Sequence, residues 1–248
     1  MQQFVNNTPV ITRYLLISIC GVSVLCAFGV LSPFNLLFNT DLTFRNLQLW
    51  RILTSHLFVP LNLRSMFDLY FLYTYSSQLE KDDFRSISAN YLFFLIFVSF
   101  FNTLAAAFHM YPMLLPSLTF SILHLWSRHN RDVITSFLFG VQFKSIYLPW
   151  VYMGYMWLTT KTFVPYLCGI LSGHLFYFLK YWYPANMQGQ QLLHTPRFLI
   201  NLFPRMISNF GSLYSATGAT TSSPPRSRPP ASDQRRHFFG QGRRLGDL

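Results

Sequence analysis

Between Phe163 and Leu179 the chain carries no charge, reading FVPYLCGILSGHLFYFL, and five further apolar runs precede it. Backbone groups in hydrocarbon have no water to bond, so such a run is confined to a helix whose amides and carbonyls satisfy one another. Repeated six times, that constraint makes the expected fold class an all-α membrane bundle. Gly169 and Gly173 stand four apart, the spacing that lets two membrane helices meet backbone to backbone. His174 follows directly. An ionisable ring inside a span costs energy and marks a functional candidate, here either the general base of an intramembrane protease or a packing histidine.

Only 11% of the residues are charged, while 51% are hydrophobic and 19% aromatic. Soluble domains carry about 25% charged residues, so a water-soluble globule is excluded as the expectation. The net charge of +11 is uneven: eight of nineteen basic residues follow Pro184, against Asp233 and Asp247 alone. A basic tail beside a membrane is ordinary on the cytosolic side, so nucleic acid is not an expected partner. Cys20, Cys26 and Cys168 fall inside apolar runs and read as small hydrophobes, implying neither a disulfide framework nor a metal site.

A polar arm, 1–13, precedes the membrane region, 14–184. The first span covers Tyr14 to Leu31 and stops at Ser32-Pro33. Phe34 to Leu57 mixes aromatic residues with Asp41, Arg45 and Arg51, which suits a segment lying at the interface. The second span, Leu57 to Leu79, holds Arg64 and Asp68 four apart, on one helical face. They read either as an intrahelical pair near the membrane edge or as a polar wall on a wet cavity. After a charged turn from Glu80 to Arg85 come a third span, Ile87 to Met110, and a fourth, Met113 to Ser127. Val133 to Lys144 alternates apolar and polar residues and is expected to skim the surface. The fifth span runs from Ser145 to Thr160 and the sixth is the opening run, continuing to Pro184.

Basic residues in short loops set the orientation. Arg13, Lys81, Arg85, Arg128, Arg131, Lys144 and Lys180 fall on one side, and Arg45, Arg51 and Lys161 on the other. The first side is expected in the cytosol, with both termini, and the long first loop outside or in a lumen. At 1.5 Å per residue the fourth, fifth and sixth uncharged runs reach about 22, 24 and 25 Å. That is short of a hydrocarbon core of ~30 Å, so local thinning of the bilayer is expected.

Beyond the spans, Thr195-Pro196 has the form of a helix start. Phe198, Leu199, Leu202 and Phe203 would share one face, making 185–208 a juxtamembrane amphipathic segment. Residues 209–237 are Ser, Thr, Pro and Arg with few apolar side chains, the composition of a disordered linker. Apolar character returns in 238–248.

Several runs resemble the Derlins, rhomboid-like membrane proteins of the endoplasmic reticulum that lack protease activity. They are Pro9 to Arg13, Leu31-Ser32-Pro33, Gln48-Leu49-Trp50-Arg51, Phe71-Leu72-Tyr73, Leu79-Glu80, Trp126 with Asn130-Arg131-Asp132, Tyr147 to Val151, Gly173 to Leu179 and Thr195-Pro196. The tail run from Phe238 to Gly246 is similar to the SHP box, Phe-x-Gly-x-Gly-x-x-Leu, with which some Derlins bind the AAA ATPase called valosin-containing protein, and the combination is most similar to the animal Derlins that carry it. The resemblance implies a rhomboid-like six-span bundle with a lumenal interfacial loop and a disordered cytosolic tail. It also implies a non-enzymatic part in endoplasmic-reticulum-associated degradation, with no cofactor, moving misfolded proteins to the cytosol. The implied partners are a ubiquitin-ligase complex, the ATPase, misfolded clients, the lipid bilayer and other Derlin copies. Trp50 and Arg51 match the Trp-Arg motif of the first lumenal loop, Gly169 and Gly173 the packing motif of the sixth span. Phe238, Gly240, Gly242 and Leu245 match the fixed positions of the tail motif. Arg64, Asp68 and His174 are candidates for a polar face that contacts clients.

The rival reading is an intramembrane rhomboid-type serine protease, which sets its serine in a Gly-x-Ser-Gly turn opposite a histidine. Here the fourth span offers Ser117 and Ser121 but no glycine from Met113 to Ser127. The expectation is therefore that both serines bond to carbonyls one turn back or join helices. His124 and His129 have no acidic or cysteine companion at ligand spacing, so no metal is expected. A transporter would show an inverted repeat, and none is visible.

Overall fold

The computed structural model describes residues 8–82, 84, 88–136 and 140–186, with Leu193, Thr195, Pro196 and Leu199. The expectations for the first seven residues, most of 185–208, the linker 209–237 and the tail motif 238–248 lie outside the described residues.

Among the described residues, six long helices appear in the order of the apolar runs. Helix α1 is Val10–Ala27. Three short helices occupy the segment too polar to cross: α2 (Pro33–Leu36), α3 (Thr40–Phe44) and α4 (Trp50–Leu57). The long pair α5 (Leu63–Asp82) and α6 (Ser88–His109) leads to α7 (Leu115–His129). After a short hairpin come α8 (Leu148–Thr160) and α9 (Val164–Tyr177). The last helix widens to a π-helical turn at Phe178–Trp182 and ends in α10 (Tyr183–Asn186).

The hairpin departs from an all-helical fold. β1 (Ile134–Ser136) pairs antiparallel with β2 (Gln142–Lys144), Thr135 facing Phe143. The alternating pattern of 133–144 is the period of a strand, and with both faces exposed or half-buried it lies at the surface as expected.

Two boundaries differ for physical reasons. α1 begins four residues before Tyr14, because a carboxylate from elsewhere caps its first amides. Glu80 accepts from the backbone N–H of Ile11 at 3.0 Å, from that of Thr12 at 2.8 Å and from the Thr12 hydroxyl at 2.8 Å. Glu80 is thus a buried residue of α5, 3% exposed, and the first part of the expected charged turn is helix. α5 itself starts at Leu63, after Pro60 breaks the chain and Asn62 accepts from the Ser65 backbone N–H at 2.9 Å as an N-cap.

α7 is the centre. Every residue from Leu115 to Ser127 is buried, and α5, α6, α8 and α9 all pack on it. Rings fill the gaps: Tyr75 meets Trp126 at 4.4 Å, Phe120 stacks on Tyr152 at 4.9 Å and Phe94 meets Phe176 at 4.8 Å. Outside, Phe28, Phe34, Phe108 and Met110 are each 78–80% exposed. Such large exposed side chains are costly in water and natural in lipid. Among the described residues, Val10–Ala27 and Ala89–His109 are long and apolar enough to cross a bilayer on length and composition.

Candidate functional site

The seam between α7 and α9 is where the candidate chemistry of the sequence falls. The two helices run parallel, and their partners keep a nearly constant offset: Ser117 with Pro165, Ser121 with Gly169, His124 with His174. Gly169 and Gly173 make this approach possible. A Cβ on Gly169 would overlap the carbonyl oxygen of Ser117, and one on Gly173 would lie 2.7 Å from that of Ser121.

The serines are part of that contact. Ser117 donates to the Pro165 carbonyl at 2.8 Å. Ser121 can donate to the carbonyl of Ser117 at 2.8 Å or of Gly169 at 2.9 Å, and it also meets the Ser172 hydroxyl at 2.8 Å. Asn102 of α6 closes the cluster, donating to Ser121 at 3.3 Å and accepting from Ser172 at 2.9 Å. All four polar residues are buried, so each bond is made where water cannot compete. Neither serine hydroxyl has a histidine among these partners. His174 instead lies 3.3 Å from His124, nitrogen to nitrogen, and is itself exposed between the buried Gly173 and Phe176 of α9. A nucleophile needs its base within hydrogen-bond reach, and the bonds in this seam join helices instead. Asn102 and Ser172 escaped the sequence reading; the available signal was a lone amide and a lone hydroxyl inside apolar runs.

The three residues considered as one polar face are not brought together. Arg64 sits with Lys161 and Tyr166 at the starting end of α5 and α9, while His174 lies two turns further along α9, beside Tyr177. Asp68 accepts from the Tyr152 hydroxyl at 2.7 Å, tying α5 to α8. The spacing brings the charges of Arg64 and Asp68 near each other, without a direct ion pair between them among the described residues. Among the described residues no cluster of histidine, cysteine and carboxylate side chains has the form of a metal site.

In the loop, Trp50 and Arg51 divide their work. Arg51 is 5% exposed; its Nη1 donates to the carbonyls of Phe34 at 2.7 Å and Leu37 at 2.9 Å, and its Nε to Gln48 at 2.6 Å. One planar guanidinium therefore satisfies the carbonyl end of α2 and holds it against α4. Trp50 beside it is 58% exposed, presenting an amphipathic ring outward. His56, missed in the sequence, donates through Nδ1 to the Ile52 carbonyl at 2.7 Å. Burial lowers its pKa to about 4 against the opposing effect of that bond, so the ring is neutral near pH 7.

The Der1-like family model matches residues 8–197. The chain is 35% identical to Derlin-1 of Homo sapiens over 253 residues, covering 98% of this chain and 96% of that protein. Against Derlin-1 of Drosophila melanogaster it is 34% identical, covering 97% and 96%. Against Derlin-2.2 of Arabidopsis thaliana it is 34% identical, covering 82% and 88%. With a family match across the whole described bundle and a third of its residues shared along nearly the full length of the human and fly proteins, the chain belongs to the Der1-like family, the Derlins.

Proposed function

We propose that this chain is a non-proteolytic component of endoplasmic-reticulum-associated degradation. It helps move misfolded lumenal and membrane proteins to the cytosol and recruits the valosin-containing AAA ATPase through its tail. The observation that carries the reading is the α7–α9 seam, in which the serine hydroxyls donate to backbone carbonyls and His174 meets a second histidine. A rhomboid-like bundle in that state offers a membrane-embedded surface to clients. The ubiquitin ligase of the endoplasmic reticulum supplies the signal for extraction.

In this reading all six long helices cross the membrane with both termini in the cytosol, and α2 to α4 lie at the lumenal interface. Arg51 keeps that loop folded and the exposed Trp50 seats it among the headgroups. The Phe238, Gly240, Gly242 and Leu245 positions bind the ATPase: the glycines let an extended backbone lie close to the partner, and the two apolar side chains anchor it. A fluorescent peptide of residues 233–248 is expected to bind the purified ATPase, and Phe238→Ala to weaken binding at least tenfold. Equal affinities would reject the tail as the recruiting motif.

The helices also bear on the bilayer. α8, which turns Trp150, Trp157 and Leu158 outward, has 13 residues, or about 20 Å at 1.5 Å per residue, against a core of ~30 Å. Lipids meeting such helices are expected to compress, which lowers the barrier to a client's polar segments. The phosphate-to-phosphate distance around the reconstituted protein should fall by several Å relative to bulk lipid; an unperturbed distance would rule the effect out.

A further inference from the structure

Five helix ends surround one cavity of about 400 Å³. Arg64 opens α5, His109 closes α6, Pro116 lies in the first turn of α7, Lys161 follows α8, and Pro165 and Tyr166 lie in the first turn of α9. The lining has two cationic side chains and a histidine, with no carboxylate among the described residues. The nearest acid on α5, Asp68, lies close enough to interact with the Arg64 charge but accepts from the Tyr152 hydroxyl and makes no direct ion pair with Arg64. Arg64 Nε is buried and has no hydrogen-bond partner among the described residues. The starts of α7 and α9 add the positive ends of two helix dipoles. Lys161 has φ of 58°, a left-handed backbone that costs energy for a side chain of this kind. A buried guanidinium nitrogen without an acceptor is costly, and the charge around it points to an anion as the missing partner.

The rim says where that anion comes from. Leu63 is 74% exposed, Phe108 78%, Met110 79% and Phe163 48%. A groove along α5 begins at Leu63, one residue from Arg64, and continues past Met66, Phe67 and Tyr70. An amphiphile brings both halves: an oxyanion for the cavity and a chain for the groove. We infer that the cavity binds the phosphate of an anionic phospholipid, with Arg64 and Lys161 on the phosphate oxygens and an acyl chain along α5. Guanidinium geometry suits two oxygens of one phosphate, while the lysine supplies a point charge. The assignment rests on the six-span topology proposed above, which puts this end of the bundle in the lumenal leaflet.

The test uses the full chain, purified in detergent and exposed to mixed phosphatidylserine and phosphatidylcholine, with retained lipid read by native mass spectrometry. Phosphatidylserine should be retained in preference. Lys161→Gln, at an exposed position, should bind it about tenfold more weakly, the loss of one charge-assisted contact. Arg64→Gln should lose it more completely, and Arg64→Lys should recover part. Equal retention by Lys161→Gln and the parent, or equal retention of the two lipids, would overturn the site. Displacement of the lipid by millimolar inorganic phosphate would overturn the lipid as the source of the anion. Labelling of Lys161→Cys by an impermeant maleimide in sealed microsomes, before and after permeabilisation, reads the topology separately. A failed topology and a failed lipid site are thereby told apart.

Discussion

Gly169→Leu is expected to disassemble the bundle, while Gly154→Leu leaves it intact. A Cβ at position 169 would overlap the Ser117 carbonyl oxygen and fall 2.9 Å from the Phe120 Cβ, closer than real side-chain contacts come. The first obstacle is backbone of the most buried helix, so a side-chain rotation cannot relieve it. α7 and α9 must separate, and the bonds from Ser117 to Pro165 and from Ser121 to Gly169 separate with them. Overpacking costs about 1–3 kcal/mol where a site can adjust, and here two buried hydrogen bonds of about 1 kcal/mol each are added. At Gly154 a Cβ would meet nothing within 4 Å, so leucine there enters open space. Thermal unfolding of the purified proteins in one detergent checks this. A Gly169→Leu midpoint within a degree or two of the Gly154→Leu midpoint would mean that the seam does not hold the bundle. Gly173→Ala should fall between them, since its Cβ would lie 2.7 Å from the Ser121 carbonyl oxygen.

The seam was half legible. The Gly-x-x-x-Gly spacing names a close approach, and the absence of glycine from the fourth apolar run argued that its serines serve packing. Which helix the glycines face is not encoded in their spacing: Ser117 and Gly169 are 52 residues apart in the chain and meet only through the parallel register of α7 and α9. Helix order was readable because each long apolar run must become a helix in lipid. The central place of α7 was not, because its Ser, Thr and His side chains give it a half-polar appearance, and polar residues are buried there only by finding partners across three helices. Spacing places Arg64 and Asp68 on one face because it reveals neighbours on one helix. The actual partner of Asp68, Tyr152, comes from a helix 84 residues away. Arg51 was marked through a motif resemblance, but its role as a clamp on α2 needed the loop's folded path.

The largest effect away from the seam is expected at Glu80, which in the sequence looks like one more charge in a surface turn. As a surface charge its replacement would change stability by about 0.5 kcal/mol or less. In the fold its two carboxylate oxygens accept from the Ile11 and Thr12 amides and the Thr12 hydroxyl, at the positive end of α1. The lock extends inward, because the Thr12 hydroxyl also meets Ser76, which meets Tyr91 of α6 at 2.5 Å. Glu80→Ala removes the acceptor, leaves two amides unsatisfied in a buried place and takes one of two partners from the Thr12 hydroxyl, a loss of about 3–5 kcal/mol once the charge-assisted bonds are counted. Glu80→Gln keeps one carbonyl acceptor and should lose roughly half of that. Thr12→Val leaves the two amide bonds in place and should cost about 1 kcal/mol. Unfolding midpoints in detergent should therefore fall in the order Thr12→Val, Glu80→Gln, Glu80→Ala, and hydrogen exchange at the Ile11 and Thr12 amides should accelerate in the two Glu80 variants. Parent-like exchange at both amides in Glu80→Ala would show that the carboxylate does not cap α1. The helix would then be held at its start by Pro9, the Thr12–Ser76 contact and packing against α5.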